Sequence, residues 1–277
     1  MADFKLGYNT GYWSSGPPAG ALEGIQEAER LGFNSIWTAE AYGSDALTPL
    51  SWWGAQTETV KLGTGIMQLS ARTPAATAMA ALTMDHLSGG RFICGIGASG
   101  PQVVEGWYGQ PYPRPLARTR EYVEIMRQVW AREAPVEFHG DFYDLPFDGG
   151  MGLGKALKPT VHPLRSDIPI FLAAEGPKNV ALSAEIADGW LPLFFSPKED
   201  GWYREQLAKG FEASGEEGKA DRFEVSCGVM VIPGDDVQQC ADFVRPFLAL
   251  YAGGMGAKEA NFHHEVFERM GYGDVAD

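Results

Sequence analysis

Cysteine is scarce: of 277 residues only Cys94, Cys227 and Cys240 carry a thiol. They are odd in number, widely spaced and form no C-x-x-C pair. That excludes a disulfide framework and fits buried, reduced thiols in a cytoplasmic protein. Positive charge is also in deficit, with 22 Lys and Arg against 36 Asp and Glu and a formal charge of −14. Nucleic acid and anionic membranes are therefore not expected as partners, although a small anionic ligand, which feels local groups, remains possible. The five histidines offer no metal-ligand spacing. His263 and His264 are adjacent, and neighbours on a helix cannot share one ion as an i, i+4 pair does. No apolar run approaches the ~20 residues of a membrane span. The opening MADFKLGYN lacks a basic segment leading into an apolar core, so no secretory signal is read there. No G-x-S-x-G elbow appears. Chemistry without a protein nucleophile or a metal points to an organic cofactor.

What the chain does have is apolar material (45%, with 12% aromatics) and a regular rhythm of strand and helix signals. Its centre is KLGTGIMQLSARTPAATAMAALTMDHLSGGRFICGIGASGP, Lys61 to Pro101. An apolar run from Leu62 to Leu69 reads as the third strand. Thr73-Pro74 starts an alanine-rich helix, and Gly89-Gly90 stops it. A second apolar run, Phe92 to Ile96, ends in GIGASG. This is one βαβ unit with parallel strands. Before it come strands at Phe4 to Tyr8 and Ser35 to Thr38, and helices over Ala19 to Leu31 and from Thr48 through Trp53. After it, GPQVVEGWYGQPYPRP reads as a loop, and Leu116 to Trp130 as a helix. Val136 to Leu145 reads as a hairpin within an insertion at about 135–166, too poor in apolar residues for its own core. Strands are expected at Ile168 to Ala173, Trp190 to Phe195 and Phe223 to Ile232. The intervening and final helices fall at Pro177 to Ala187, Lys198 to Ala213 and Asp236 to Tyr251. The alternation predicts an α/β fold with a parallel sheet in a single domain, 1–277. An open doubly wound sheet and a (β/α)8 barrel both fit, and seven strands are one too few for the barrel.

Three features carry functional meaning. GIGASG satisfies G-x-G-x-x-G but follows the fourth strand and runs into Pro101. It therefore reads as a loop that lets a flat ring approach more readily than as a dinucleotide fingerprint. In AAEGPK, a strand end meets a helix beginning at Gly176-Pro177, with Lys178 in its first turn, a ready anion site. Glu175 is awkward beside an anion unless it points away. Aromatics including Tyr12, Trp13, Tyr42, Trp52, Trp53, Trp107 and Tyr108 lie on or near the strand-to-helix loops. Trp13, Tyr42 and Trp107 are candidates for an apolar substrate pocket. Glu40 is the only carboxylate at the end of the second strand, hence a candidate catalytic group.

These residues bring a family into view. Across essentially its whole length the chain resembles the bacterial-luciferase-like superfamily, and within it the branch that uses coenzyme F420, a 5-deazaflavin. The specific pieces are LGTGIMQLSARTPAATAMAALTMDHLSGGRF, GIGASGPQVVEGWYGQ and AAEGPKNVALSAEIADGWLP. The resemblance implies a (β/α)8 TIM barrel with an insertion after the fourth βα unit and the cofactor at the C-terminal strand ends. Family members run on for roughly another sixty residues, so a last strand and helix are expected to be missing here. It also implies a non-prolyl cis peptide at Gly65-Ile66 behind the deazaflavin ring, and Glu40 approaching that ring. Ser99 and Gly100 match the family's fourth-strand loop, and Ala173, Ala174, Glu175, Gly176 and Pro177 its phosphate-binding stretch. Lys178 is added from the helix-start argument. The sugar-phosphate dehydrogenase branch carries Glu where Gly100 stands and His where Ala41 stands, so that activity is not expected. The expectation is an F420-dependent oxidoreductase acting on a small organic substrate, as a homodimer or higher homo-oligomer. A flavin mononucleotide (FMN)-dependent monooxygenase and a non-catalytic flavin-binding relative are the alternatives.

Overall fold

A computed structural model describes residues 4–254 and 262–276. The chain divides into two compact units, Met1–Leu172 and Ala173–Asp277.

The first unit is built on parallel strands. β1 (Gly7–Asn9) pairs with β2 (Ser35–Thr38), which pairs with β3 (Lys61–Thr64). β3 pairs with β5 (Phe92–Gly97), and β5 with β8 (Ile170–Ala173), where Cys94, Gly95 and Ile96 face Ile170, Phe171 and Leu172. β2 and β5 are buried at every position, the mark of parallel strands covered on both faces. Between strands run α1 (Ala21–Arg30), α2 (Leu47–Gly54) and α3 (Pro74–Ser88). α3 is bounded as its sequence predicts. The Thr73 hydroxyl accepts from Ala76 N, Pro74 fills the first position, and Gly89 turns left-handed at φ 64°. Its small residues let α5 (Pro115–Ala131) come close: the buried Trp130 indole donates to Ala78 O at 3.0 Å. The expected hairpin is present as antiparallel β6 (Phe138–His139) and β7 (Asp144–Leu145). Glu121 of α5 fixes its turn by accepting from the backbone N–H groups of Asp141, Phe142 and Tyr143.

Several boundaries differ from the sequence reading. β1 begins three residues later than expected. The long third strand is interrupted at the cis Gly65-Ile66 peptide, resumes as β4 (Met67–Gln68) beside β5, and ends in a 3₁₀ turn at Leu69–Ala71. The segment after GIGASG is not all loop: Pro101 opens a short helix, α4 (Pro101–Gly106), for which Pro101 is preset at the first position. Trp53 is buried and Trp52 is 72% exposed, so only one of the pair belongs to the core. Of the three thiols only Cys94 is buried.

In the second unit α6 (Pro177–Ile186) and α7 (Asp200–Ser214) pack around Trp190, Tyr203, Val180 and Leu207. β9 (Gly189–Leu191) is half the expected length, because Pro192 has no N–H and the next two N–H groups turn to Glu175. The predicted strand from Phe223 to Ile232 shrinks to β10 (Glu224–Val225), which follows the short α8 (Lys219–Arg222) and pairs with Gly189 and Trp190. After a last bond from Ser226 N–H to Trp190 O, the β-propensity at 227–232 finds no ladder among the described residues, and Val229 and Val231 stand exposed. α9 (Val237–Ala249) continues into a π-helical turn, Leu250–Gly254. α10 (Phe262–Arg269) and α11 (Gly273–Ala276) follow. Phe194 is ringed by Phe247, Tyr251, His263 and Phe267, with centroids 4.8–6.1 Å away. Among the described residues no helix is long and apolar enough to cross a membrane.

Candidate functional site

In a parallel sheet, ligands bind outside the C-terminal strand ends. In the first unit those ends hold a polar network among otherwise apolar strands. Glu40, two residues past β2, is 5% exposed. It accepts both Arg72 guanidinium nitrogens at 2.9 Å, Ala46 N at 3.2 Å and Gln68 N at 3.1 Å. Burial opposes the charge on Arg72, but the Glu40 carboxylate outweighs it, so the guanidinium is held above its ordinary value. Glu40 is thus an anchor between β2, β4 and the start of α3, with both oxygens engaged by donors. The sequence reading placed it at the strand end correctly and missed its partners.

Gln68 is the second member. Its amide nitrogen donates to the Glu40 and Ala41 carbonyls at 3.4 and 3.2 Å, which fixes which way the amide faces. Its Oε1 is buried and has no partner among the described residues. Tyr108 also donates to Ala41 O, at 3.4 Å, and its phenol is raised by burial and then by the Glu40 charge. Around this network the backbone is accessible where the resemblance implies contact with a ring. Gly65 and Ile66, joined by a cis peptide, and Ser99 and Gly100 past β5 are partly exposed, whereas Thr64, Met67 and Gly97 beside them are buried. Thr64 staples β3 to β5: its hydroxyl donates to Gly95 O and accepts from Gly95 N.

The proposed pocket aromatics do not form a cluster of their own. Trp13 packs on Trp53 at 6.0 Å, and Tyr42 and Trp107 are exposed.

In the second unit Gly176 is the cap of α6, Pro177 its first residue, and Lys178 is exposed in the first turn. Ala174 is buried beneath, where its carbonyl accepts from the Trp190 indole at 2.8 Å. Ala173 O receives the Asn179 amide. Glu175 binds the N–H groups of Leu193 and Phe194 rather than the helix start. Burial pushes its carboxyl up to about 7, with those two N–H groups and the Arg269 charge pulling the other way. Its second oxygen has no partner among the described residues. Among them, no group of three His, Cys, Asp or Glu could hold a metal ion.

Arg72 and Gln68 carry no motif that singles them out in the sequence, and Tyr108, named there only among the loop aromatics, joins the network through its hydroxyl. The usable signal for Arg72 was its position next to Thr73-Pro74, which places it where a strand end turns into a helix.

Residues 5–277 match the sequence profile described as luciferase-like monooxygenase. The chain is 59% identical over 278 residues to a Mycobacterium tuberculosis (strain ATCC 25618 / H37Rv) protein that carries the provisional name coenzyme F420-dependent oxidoreductase. That match covers 100% of this chain and 80% of the relative. Among solved structures, the coenzyme F420-dependent tetrahydromethanopterin reductase of Methanopyrus kandleri aligns with a TM-score of 0.75 at 23% identity, covering 98% of this chain and 81% of that one. An F420-dependent secondary alcohol dehydrogenase in complex with an F420-acetone adduct aligns with a TM-score of 0.79 at 18% identity, over 98% and 90%. These likenesses bear out the expected fold class, the luciferase-like (β/α) barrel.

Proposed function

The chain belongs to the luciferase-like monooxygenase family, and we propose that it is a coenzyme F420-dependent oxidoreductase exchanging a hydride with a small organic substrate. The observation that carries this reading is the vacant acceptor at the strand ends. Gln68 Oε1 is buried, oriented by two backbone carbonyls and unpaired, beside the accessible Gly65-Ile66 and Ser99-Gly100 segments. A buried polar atom without a partner is costly, and such an atom at a ligand face marks a donor that is still to come. A deazaflavin ring presents a flat apolar face and an edge bearing a ring N–H, so the residues present fit it. The relative of 59% identity and the two solved structures, each named for F420, support the same choice.

When bound, F420 supplies the two-electron hydride chemistry. The protein's own part is to bind and orient. Gly65, Ile66, Ser99 and Gly100 would receive the ring, and Glu40 would hold the β2, β4 and α3 ends in register through Arg72 and Gln68. Taken by itself, the second unit offers a phosphate-type anion site at the start of α6, with Ala173, Ala174, Gly176, Pro177 and Lys178, since free N–H groups and the positive helix end favour an anion. Glu175 would contribute through the turn it holds. The exposed rings of Tyr42 and Trp107, with Trp13, would offer apolar surface to the substrate.

Titrating the purified protein with F420 and following deazaflavin fluorescence tests the assignment. Saturable binding is expected, followed by a redox change of the deazaflavin with some member of a panel of alcohols and carbonyl compounds. Binding of FMN but not F420 would replace this reading with a flavin-dependent monooxygenase. Saturable F420 binding without turnover across the panel would make the protein a non-catalytic relative.

A further inference from the structure

The loop that ends β5 contains one residue in a conformation its side chain does not favour. Ser99 has φ +60°, in the left-handed region that glycine enters freely and other L-residues rarely do. A glycine stands on its C-terminal side, so the chain had a permissive residue close by and did not place it here. Left-handed serine persists only where its surroundings hold it.

The restraint comes from Tyr112, in the segment between α4 and α5. Its hydroxyl donates to Ser99 O at 2.7 Å, tying that segment to the strand end. Pro111 and Pro113 flank Tyr112 and limit how far it can stray. A cavity of about 10 Å³ lies beside Tyr112 and Ala98, with Pro115 and Arg118 also in its lining. Burial raises the Tyr112 phenol above its ordinary value, so the hydroxyl remains a donor throughout the neutral range.

We infer that Tyr112 is a positioning residue for the cofactor: by holding the Ser99 carbonyl it keeps Ser99 and Gly100 in the geometry that meets the deazaflavin ring. This rests on the F420 reading above. Tyr112 touches no reacting atom and acts only through Ser99.

The test uses two substitutions, together and apart. Tyr112→Phe keeps the ring and removes the donor, and F420 affinity measured by fluorescence should fall roughly tenfold, the value of one hydrogen bond. Ser99→Gly alters a residue that receives the ring, so its own affinity serves as the reference for the double variant. Adding Tyr112→Phe to Ser99→Gly should then cost little of that reference affinity, because glycine adopts the left-handed conformation unaided. A merely structural tyrosine would not be rescued in this way. Undiminished F420 binding by Tyr112→Phe, or a loss that Ser99→Gly leaves untouched, would overturn the inference. A crystal structure of the cofactor-free Tyr112→Phe protein separates this from the functional reading: Ser99 should have left φ near +60°, and its retention there would refute the link to Tyr112. Absence of F420 binding by the wild type would instead remove the functional reading, while the crystal structure would still judge the link.

Discussion

Glu40 shows how far a single residue can be read from sequence and where the reading stops. Its place at the end of β2 followed from strand periodicity, but nothing in the spacing joins residue 40 to residue 72 or 68. In the fold, Arg72 meets it with two parallel bonds, and the pair is largely enclosed, with Arg72 21% and Glu40 3% exposed at the side chain. Removing one partner of a buried pair leaves the other's charge undercompensated, a cost that reaches about 3–5 kcal/mol for a fully stranded charge and is smaller here, because Arg72 keeps Asp45 at 3.9 Å and Glu40 keeps the Ala46 and Gln68 N–H groups. Arg72→Met and Glu40→Leu are each expected to lose about 2 kcal/mol in urea denaturation. The double variant should lose clearly less than the two losses added together, since it leaves neither charge without its main partner. Additive losses would show that the two side chains do not depend on one another. Gln68 was invisible for a related reason: an unpaired oxygen is a property of the assembled strand ends, not of a glutamine in an apolar run.

At the scale of the elements, what was legible was what is local. The Thr73-Pro74 start and Gly89-Gly90 stop of α3 were placed to the residue, because capping involves groups within one helical turn. β9 and β10 are shorter than expected because a strand's length is set by a partner elsewhere in the chain, and past the Ser226 N–H bond to Trp190 O no ladder partner reaches 227–232 among the described residues. Close helix packing was equally hidden. Gly210 of α7 lies against Ala181 of α6, and a Cβ there would run into the Ala181 carbonyl and the Ala184 methyl. Gly201, at the start of the same helix, has open space around the corresponding point. Alanine normally improves a helix by up to about 1 kcal/mol over glycine. Gly201→Ala should therefore be neutral or mildly stabilising, whereas Gly210→Ala should lose about 2 kcal/mol as the helices are forced apart. Thermal melts of the two variants decide it, and a stabilised Gly210→Ala protein would mean that the α6–α7 contact is looser than described.

At the scale of the whole molecule, the chain's acidity sets a general bias, but two buried groups set the pH response of the second unit, and they act in opposite directions. Burial pushes Glu175 up to about 7 from an ordinary carboxylate value. Its folded form binds the proton more tightly than the unfolded chain does, so its contribution to stability is full below pH 4.5 and is lost as pH rises through 7. Burial pushes His263 down to about 4, and its folded form resists protonation. Its contribution is full above pH 6.5 and is lost as pH falls through 4. Each is worth on the order of 3 kcal/mol over its window, and the windows overlap almost completely between pH 4.5 and 6.5. The wild type should therefore show a nearly flat stability profile there, not from a lack of titrating groups but from two slopes that offset each other. Glu175→Gln should expose the histidine slope, with stability falling on acidification. His263→Gln should expose the glutamate slope, with stability falling as the pH is raised. Hydrogen-exchange mass spectrometry of peptides from the second unit, as a function of denaturant and pH, resolves the two. Single variants that both keep the flat wild-type profile would show that neither group is buried in the way its surroundings indicate.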